Sequence, residues 1–375
     1  MTDRGGADDN SMTDAIVRKV ESGGRISTDE ATVLWNQTPL WLLGKLADEK
    51  RHKINGDALW YNRNIHIEPT NVCAFNCRFC SYRRGAEDPE AWDYTAEQME
   101  DIARSYVGKG ITEVHIVGGV HPEHDLWFYT DLIRRIKAIL PLATVKAYTA
   151  IELAYMIQKA GLAIGEGLAE LKKAGMQAIP GGGAEIFDER LRAEICPEKG
   201  TADEWLAVHR AAHGLGIPTN ATILYGHGET IAQRIDHMDR LRRLQDESAS
   251  RTGGEGFNAF IPLKYRARGN RMGERGEVSV VEDMRMLAMS RIFLDNIPHI
   301  KAYWVMYGKS VAEMALAFGA DDIDGTIDDT TKIYSMAGAE EESPRLSIGE
   351  IERMAATAGL RAVERDTFYN VVVKI

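Results

Sequence analysis

The sequence predicts an α/β protein: a (β/α)8 TIM-type barrel with an N-terminal helical extension and a C-terminal cap. Three observations carry that expectation. Short β-rich runs alternate with longer amphipathic stretches, which is the rhythm of parallel βα units rather than of hairpins. Eight such runs occur, enough to close a ring. The chain has 375 residues, 44% of them hydrophobic, which suffices for one barrel of about 250 residues with appended elements.

Taken in order, residues 1–12 are polar, acidic and glycine-containing and read as a flexible tail. Residues 13–60 read as the helical extension, with apolar residues at helical spacing from Ala15 to Leu46 and Ser27 or Thr28 as an N-cap before Asp29 and Glu30. The barrel is expected over 61–335. Its strands are placed near Asn64–Glu68, Glu113–Val117, Thr144–Tyr148, Met176–Pro180, Thr219–Tyr225, Phe257–Pro262, Ile300–Val305 and Asp322–Ile327. Helical patterns at Ala96–Lys109, Leu126–Leu140, Asp203–Leu215, Glu229–Glu247 and Val281–Asn296 are long enough for crossovers. Residues 336–375 form the cap: an acidic loop, a helix near Ser347–Ala358 opened by Ser347 with Glu350 at capping-box spacing, and a strand near Tyr369–Ile375. No repeat beyond the βα rhythm and no linker divides the chain.

Charge and cysteine usage narrow the function. A net charge of −11 argues against a broad nucleic-acid surface, because neutralising phosphates takes clustered Lys and Arg. An anionic small molecule would need a local basic pocket. No run of about 18 apolar residues and no charged-then-apolar leader is present, so no membrane partner is expected and the protein is placed in the cytoplasm. Three of the four cysteines sit within eight positions, which in a chain of this length favours a metal or redox role in a reducing compartment.

Those three are Cys73, Cys77 and Cys80, in a loop directly after the first expected barrel strand. Barrel enzymes keep their chemistry at that end of the strands. Three soft thiolates suit an iron–sulfur cluster, and holding three of four irons leaves one open to a further ligand. A structural zinc site is the alternative, but closed zinc sites want four ligands and no second cysteine pair exists. Cys196 stands far along the chain, as buried small hydrophobic cysteines do.

Other strand ends carry candidate binding groups. Gly118 and Gly119 let backbone approach a ligand closely or form a tight turn. Glu185, past a run of three glycines, can accept both hydroxyls of a ribose. Arg192 can pair with a carboxylate bidentately, although it stands in a charge run from Asp188 to Glu194 that also suits a solvated helix face. Asn220 and the turn Tyr225-Gly-His-Gly-Glu229 offer polar groups at the fifth strand's end. His66 and Glu68 alternate with Ile65 and Ile67, so both point into the barrel, either as a site or as a satisfied buried pair. Tyr82, beside the cysteines, is a packing or a ligand-facing aromatic.

The C-x3-C-x2-C spacing with an aromatic before the last cysteine resembles the radical S-adenosylmethionine (SAM) superfamily signature. That resemblance implies a [4Fe–4S] cluster on Cys73, Cys77 and Cys80 whose open iron chelates SAM. It further implies that Gly118 and Gly119 meet the methionyl amine, that Arg192 binds the methionyl carboxylate, and that an electron donor such as flavodoxin or ferredoxin is needed.

A closer resemblance rests on several stretches together: Asn64-Ile-His-Ile-Glu-Pro-Thr-Asn-Val-Cys73, Val117-Gly-Gly-Val-His-Pro122, Lys146-Ala-Tyr-Thr-Ala150, Gly181-Gly-Gly-Ala-Glu-Ile-Phe187 and Asp324-Gly-Thr-Ile327. From about Trp41 onward the chain is similar to the aminofutalosine synthases of menaquinone biosynthesis. This implies that SAM is a co-substrate: its adenosyl radical adds to the enol ether of 3-[(1-carboxyvinyl)oxy]benzoate, the aryl group migrates and carbon dioxide leaves, giving 6-amino-6-deoxyfutalosine. Cyclic dehypoxanthine futalosine synthase and the 5-deazaflavin-precursor synthases are the sibling alternatives, and a non-catalytic iron–sulfur or zinc scaffold is the alternative of another class. A dicarboxylate substrate needs cations, and Lys264 and Arg268, after the sixth strand, are the expected source, unless that segment is an exposed basic loop.

Overall fold

In a computed structural model of the chain, which describes residues 5–252, 256–339 and 343–373, the strands are β1 (Ala58–Asn62), β2 (Asn64–Ile67), β3 (Glu113–Ile116), β4 (Thr144–Ala147), β5 (Met176–Ala178), β6 (Thr219–Tyr225), β7 (Phe257–Lys264), β8 (His299–Ile300), β9 (Asp322–Gly325) and β10 (Arg361–Glu364). Every ladder between them is parallel. One run is β2-β3-β4-β5 and another is β6-β7-β8; Ile179 bridges to Thr219 between them. Lys301 bridges to Asp322, which brings in β9 beside β1. Because β1 continues through Arg63 into β2, the ring closes. Side chains finish the seam: the Ile327 amide donates to Asn64 Oδ1 at 3.0 Å, and the His66 amide to Thr330 Oγ1 at 2.8 Å.

Helices fill the crossovers, including Ala96–Arg104, Leu126–Ile139, Ala202–Gly214, Ile231–Thr252 and Val280–Phe293. Their starts are set locally. Thr95, Thr149 and Thr201 each cap a helix and receive a reciprocal bond from the third residue, which satisfies amides that a helix leaves orphaned. Ser27 and Ser347 do the same in the N-terminal and C-terminal extensions.

Four sequence expectations change. The tail expected over 1–12 is helical from Gly5, in a helix to Glu21, where Ile16 and Val20 are buried; residues 1–4 lie outside the described residues. β1 straddles the boundary set between the helical extension (13–60) and the barrel (61–335). The strand expected over Ile300–Val305 ends at Ile300, because Trp304 turns into a short helix and donates its indole N–H to the Gly325 carbonyl at 2.8 Å. The strand expected at Tyr369–Ile375 is instead β10, which lies parallel to β1 outside the ring. Tyr369 adopts φ +63°, which breaks an extended run, and stacks on His299 at 3.5 Å; residues 374–375 lie outside the described residues.

Register then decides what faces the lumen. Ile65, Val114 and Val145 point outward and are fully buried under the helices. Their neighbours point inward in two layers: Asn64, Glu113 and Thr144, then His66, His115 and Lys146, each in register across β2, β3 and β4. The barrel interior is therefore polar. Its charges are paired: Lys146 Nζ lies 2.8 Å from Glu113 Oε1, Lys301 binds Asp324, and Arg365 binds Asp322. A buried ion left single would cost several kcal/mol, on the order of 3–5.

Candidate active site

The cysteine loop leaves β2 and is pinned by backbone bonds to three neighbours. The Cys73 amide donates to the Arg84 carbonyl at 3.2 Å, that of Ala74 to Val120 at 2.8 Å, and that of Arg78 to Ile195 at 2.8 Å. The Val120 amide donates to Cys73 Sγ at 3.3 Å, a contact that favours a thiolate. Burial, with the neighbouring Cys77, pushes the Cys73 and Cys80 thiols up, Cys80 to about 11, so they become thiolates when a metal takes the proton's place. Among the described residues, the one trio of His, Cys, Asp or Glu ligand atoms within 4.8 Å of one another is Asp93, His121 and His124. The three cysteines are thus set wider than the spacing a single tetrahedral ion draws, and as three thiols on one pinned loop they fit a cluster. Cys196 is buried with its thiol hydrogen-bonded to that of Cys77.

Above the barrel's polar layers a cavity of about 280 Å³ opens. Cys80, Tyr82, Gly118, Glu185, Asn220, His66 and Lys264 all line it. Loops from β2, β3, β5, β6 and β7 thus converge on the space beside the cysteines.

Gly118 donates its amide to Glu152 Oε1 at 3.1 Å, and burial raises the Glu152 carboxyl to about 7. Gly119 does not line the cavity: a Cβ on it would lie 2.3 Å from the Val72 carbonyl oxygen, so its smallness lets the β3 loop lie against the cysteine loop. Glu185 is buried, sits at φ +50° and is ion-paired with Lys199. Arg192 is buried away from the cavity and gives its guanidinium to the carbonyls of Ala184, Ile186 and Gly200, which shape the segment carrying Glu185 and Lys199. It makes neither the solvated ion pairs of a helix face nor a contact with the cavity. Tyr82 donates its hydroxyl to the Thr70 carbonyl at 3.1 Å, with its ring on Trp92.

The groups expected to meet the substrate divide. Glu68 accepts from Thr331 Oγ1 at 2.6 Å and from the Lys332 amide at 3.1 Å, which ties β2 to the segment after β9; burial still raises its carboxyl to about 7. Glu68 lines a second cavity with Trp92, Tyr94 and Lys332, which His66 also lines. Lys264 is buried and donates to Asp283 Oδ2 at 2.9 Å. Arg268 is exposed and outside the lining, its aliphatic stem against Gly338; Arg266, in the loop past β7, lines the cavity instead and is held by the Met306 and Gly338 carbonyls.

Sequence reasoning missed Lys199, His115, Lys301, Tyr303 and Asp324 as lining groups. His115 carried a readable signal, since it alternates with Val114 and Ile116 as His66 does with its isoleucines. Lys199 carried none, because only the fold brings residue 199 to the cysteine loop.

Comparison with known proteins gives the same reading. A family model described as the radical SAM superfamily matches residues 67–241, and one described as the CofH/MqnC C-terminal region matches residues 254–373. An aminodeoxyfutalosine synthase from Thermus thermophilus is 41% identical over 361 residues, covering 95% of each chain. A 5-amino-6-(D-ribitylamino)uracil–L-tyrosine 4-hydroxyphenyl transferase from Methanopyrus kandleri is 37% identical, covering 97% of this chain and 98% of its own. In fold, a crystal structure of methylornithine synthase superposes with a TM-score of 0.73 at 16% identity, covering 92% of this chain and 97% of its own. With three thiols beside a polar-lined cavity and this likeness over nearly its whole length, the chain belongs to the radical SAM superfamily, enzymes that use a [4Fe–4S] cluster and SAM, in the branch carrying the CofH/MqnC C-terminal region.

Proposed function

We propose that the chain is an aminofutalosine synthase, joining the adenosyl part of SAM to 3-[(1-carboxyvinyl)oxy]benzoate with loss of carbon dioxide to form 6-amino-6-deoxyfutalosine. The observation that carries this reading is the 41% identity to the Thermus aminodeoxyfutalosine synthase across 95% of both chains. The cavity supports it, since polar groups from several strand ends converge there beside the cysteines. Cys73, Cys77 and Cys80 would hold a [4Fe–4S] cluster, which would supply the electron needed to release the adenosyl group.

The chain's own residues bind and orient. Gly118, Glu185 and Asn220 face SAM on the cysteine side, with Lys199 holding the Glu185 carboxylate in place. Arg192 positions that segment through backbone carbonyls. Lys264 and Arg266 face the second ligand, and the paired charges around them shut out an uncompensated ion. The reaction belongs to menaquinone biosynthesis in the cytoplasm, with a flavodoxin or ferredoxin as electron donor. No described helix is long and apolar enough to cross a membrane.

A second reading, transfer of a tyrosine-derived hydroxyphenyl group, is favoured by the Methanopyrus relative. Anaerobically reconstituted enzyme should consume SAM with the enolpyruvyl benzoate and give a product whose mass contains the adenosyl group. Free 5′-deoxyadenosine as the main product, formed with tyrosine and the ribityl uracil instead, would select the second reading.

A further inference from the structure

We propose that His66, His115 and Tyr303 form a floor in the cavity that holds a carboxylate of the second ligand through neutral hydrogen-bond donors. This deepens the aminofutalosine synthase reading and rests on it for the identity of that ligand.

The floor is built by register. His66 pairs with His115 across β2 and β3, and His115 with Lys146 across β3 and β4, so three polar side chains share one inward layer. Tyr303, just past β8, approaches the row from the flank where β9 joins β8 to β1, and all four line the same cavity. The two imidazole rings lie 4.5 Å apart, tilted by 59°, and do not bond each other.

What marks the floor is its unused hydrogen-bonding capacity. His66 Nδ1 and Nε2, His115 Nε2 and the Tyr303 hydroxyl are buried and have no partner in the protein. Each such atom costs about 1–3 kcal/mol unless something that enters the cavity bonds it. His66 is only 4% exposed, so its two nitrogens cannot be satisfied from bulk solvent.

The surrounding acceptors are already taken. Asp324 accepts from Asn64 Nδ2 at 2.8 Å and from Lys301; Glu113 accepts from Thr367 Oγ1 at 2.7 Å, and its other oxygen lies 2.8 Å from Lys146 Nζ. Left over are one N–H and one acceptor nitrogen on neutral His66, the Nε2 of His115, which donates in its Nε2–H tautomer, the phenol O–H and the remaining ammonium protons of Lys146 and Lys301. Donors in surplus around a neutralised charge network select an anionic acceptor with two oxygens, which is a carboxylate. Burial keeps both imidazoles neutral, so they meet that anion as donors and not as fixed cations.

The test uses the cluster- and SAM-loaded holoenzyme, with benzoate and benzamide as calorimetric probes and the enolpyruvyl benzoate for kinetics. Wild type should bind benzoate at least about tenfold better than benzamide, since one hydrogen bond to a charged group is worth about 1.5–3 kcal/mol. His115→Leu and Tyr303→Phe should each raise the benzoate Kd and the substrate KM about tenfold, leaving the KM for SAM and the iron content unchanged. His115→Gln, which keeps a donor, should recover most of the loss.

Equal wild-type affinity for the two probes, or an unchanged substrate KM in both His115→Leu and Tyr303→Phe, overturns the floor. The two readings separate cleanly. Selective benzoate binding that the leucine variant loses, without turnover of the enolpyruvyl benzoate, leaves the floor standing and removes the synthase reading. Full turnover with an unmoved KM does the reverse.

Discussion

Replacing Gly119 by alanine tests whether the β3 loop braces the cysteine loop. The added Cβ would lie 2.3 Å from the Val72 carbonyl oxygen and 2.8 Å from its carbon, both backbone atoms that no rotamer change can move. Relief needs a shift on the order of 1 Å, because ordinary contact begins at about 3.5 Å. Three bonds hang on that spot: Gly119 amide to Thr70 carbonyl at 2.7 Å, Ala74 amide to Val120 carbonyl at 2.8 Å, and Val120 amide to Cys73 Sγ at 3.3 Å. Overpacking costs about 1–3 kcal/mol and the loss of one such bond about 1, so Gly119→Ala should lose about 2–4 kcal/mol. At about 2 °C per kcal/mol for a large domain, the Tm of cluster-free protein falls about 4–8 °C. Iron and sulfide per chain after anaerobic reconstitution should fall as well, since the loop that moves carries Cys73. Gly165→Ala is the matched contrast: it stands inside the helix Ile164–Ala174 with open space at its Cβ, so it should gain about 0.5–1 kcal/mol. A Gly119→Ala protein that melts within a degree of wild type and takes up a full cluster would refute the bracing argument.

Other outcomes follow from the same geometry. Cys80→Ala should abolish SAM cleavage and lower iron content while shifting the stability of the cluster-free chain by less than about 1 kcal/mol, as calorimetry can check; retained turnover would return the loop to a structural role. Acid should destabilise the fold. Burial lowers His66 and His213 to about 4 and His237 to about 3, with His115 and His209 well below their usual range, so the unfolded chain takes up protons below about pH 6.5 that the folded chain refuses. Their stability is present above pH 6.5 and is lost as pH falls towards 4. Glu68 and Glu152, raised to about 7, act oppositely, gaining stability as pH falls from 7 towards 4.5. At about 1.4 kcal/mol per unit, each histidine loses about 2 kcal/mol between pH 7 and 5 and each glutamate gains about as much, so the net loss is on the order of 4–6 kcal/mol. A Tm that is flat or rising from pH 7 to 5 contradicts this. Arg291→Met should cost about 3–5 kcal/mol and lower the Tm by about 6–10 °C, because it leaves the fully buried Asp321 without its guanidinium partner; an unchanged melt would show that the pair is dispensable.

The cysteine loop and the barrel could be read from sequence because both are local codes. A period of two in Asn64–Ile67 and Glu113–Ile116, threonine caps ahead of helices and three thiols in eight positions each depend on residues close along the chain. β1 and β10 escaped because each is short and gains meaning only from pairing with the other across 300 residues of chain. Arg192 shows the same limit within the site. Its charge run looks like a solvated helix face, and only the packing of Ala184, Ile186 and Gly200 around its guanidinium turns it inward.

By itself, then, the sequence determined the strand rhythm, the cluster ligands and the kinship, since these reside in residue type and spacing. Tertiary structure alone decided which groups share the cavity. Register across three parallel strands sets His66, His115 and Lys146 in one layer, and ring closure brings Tyr303, Lys301 and Asp324 up beside them. Alternation along a strand says which side a residue faces, but only hydrogen-bonded register says whom it faces there.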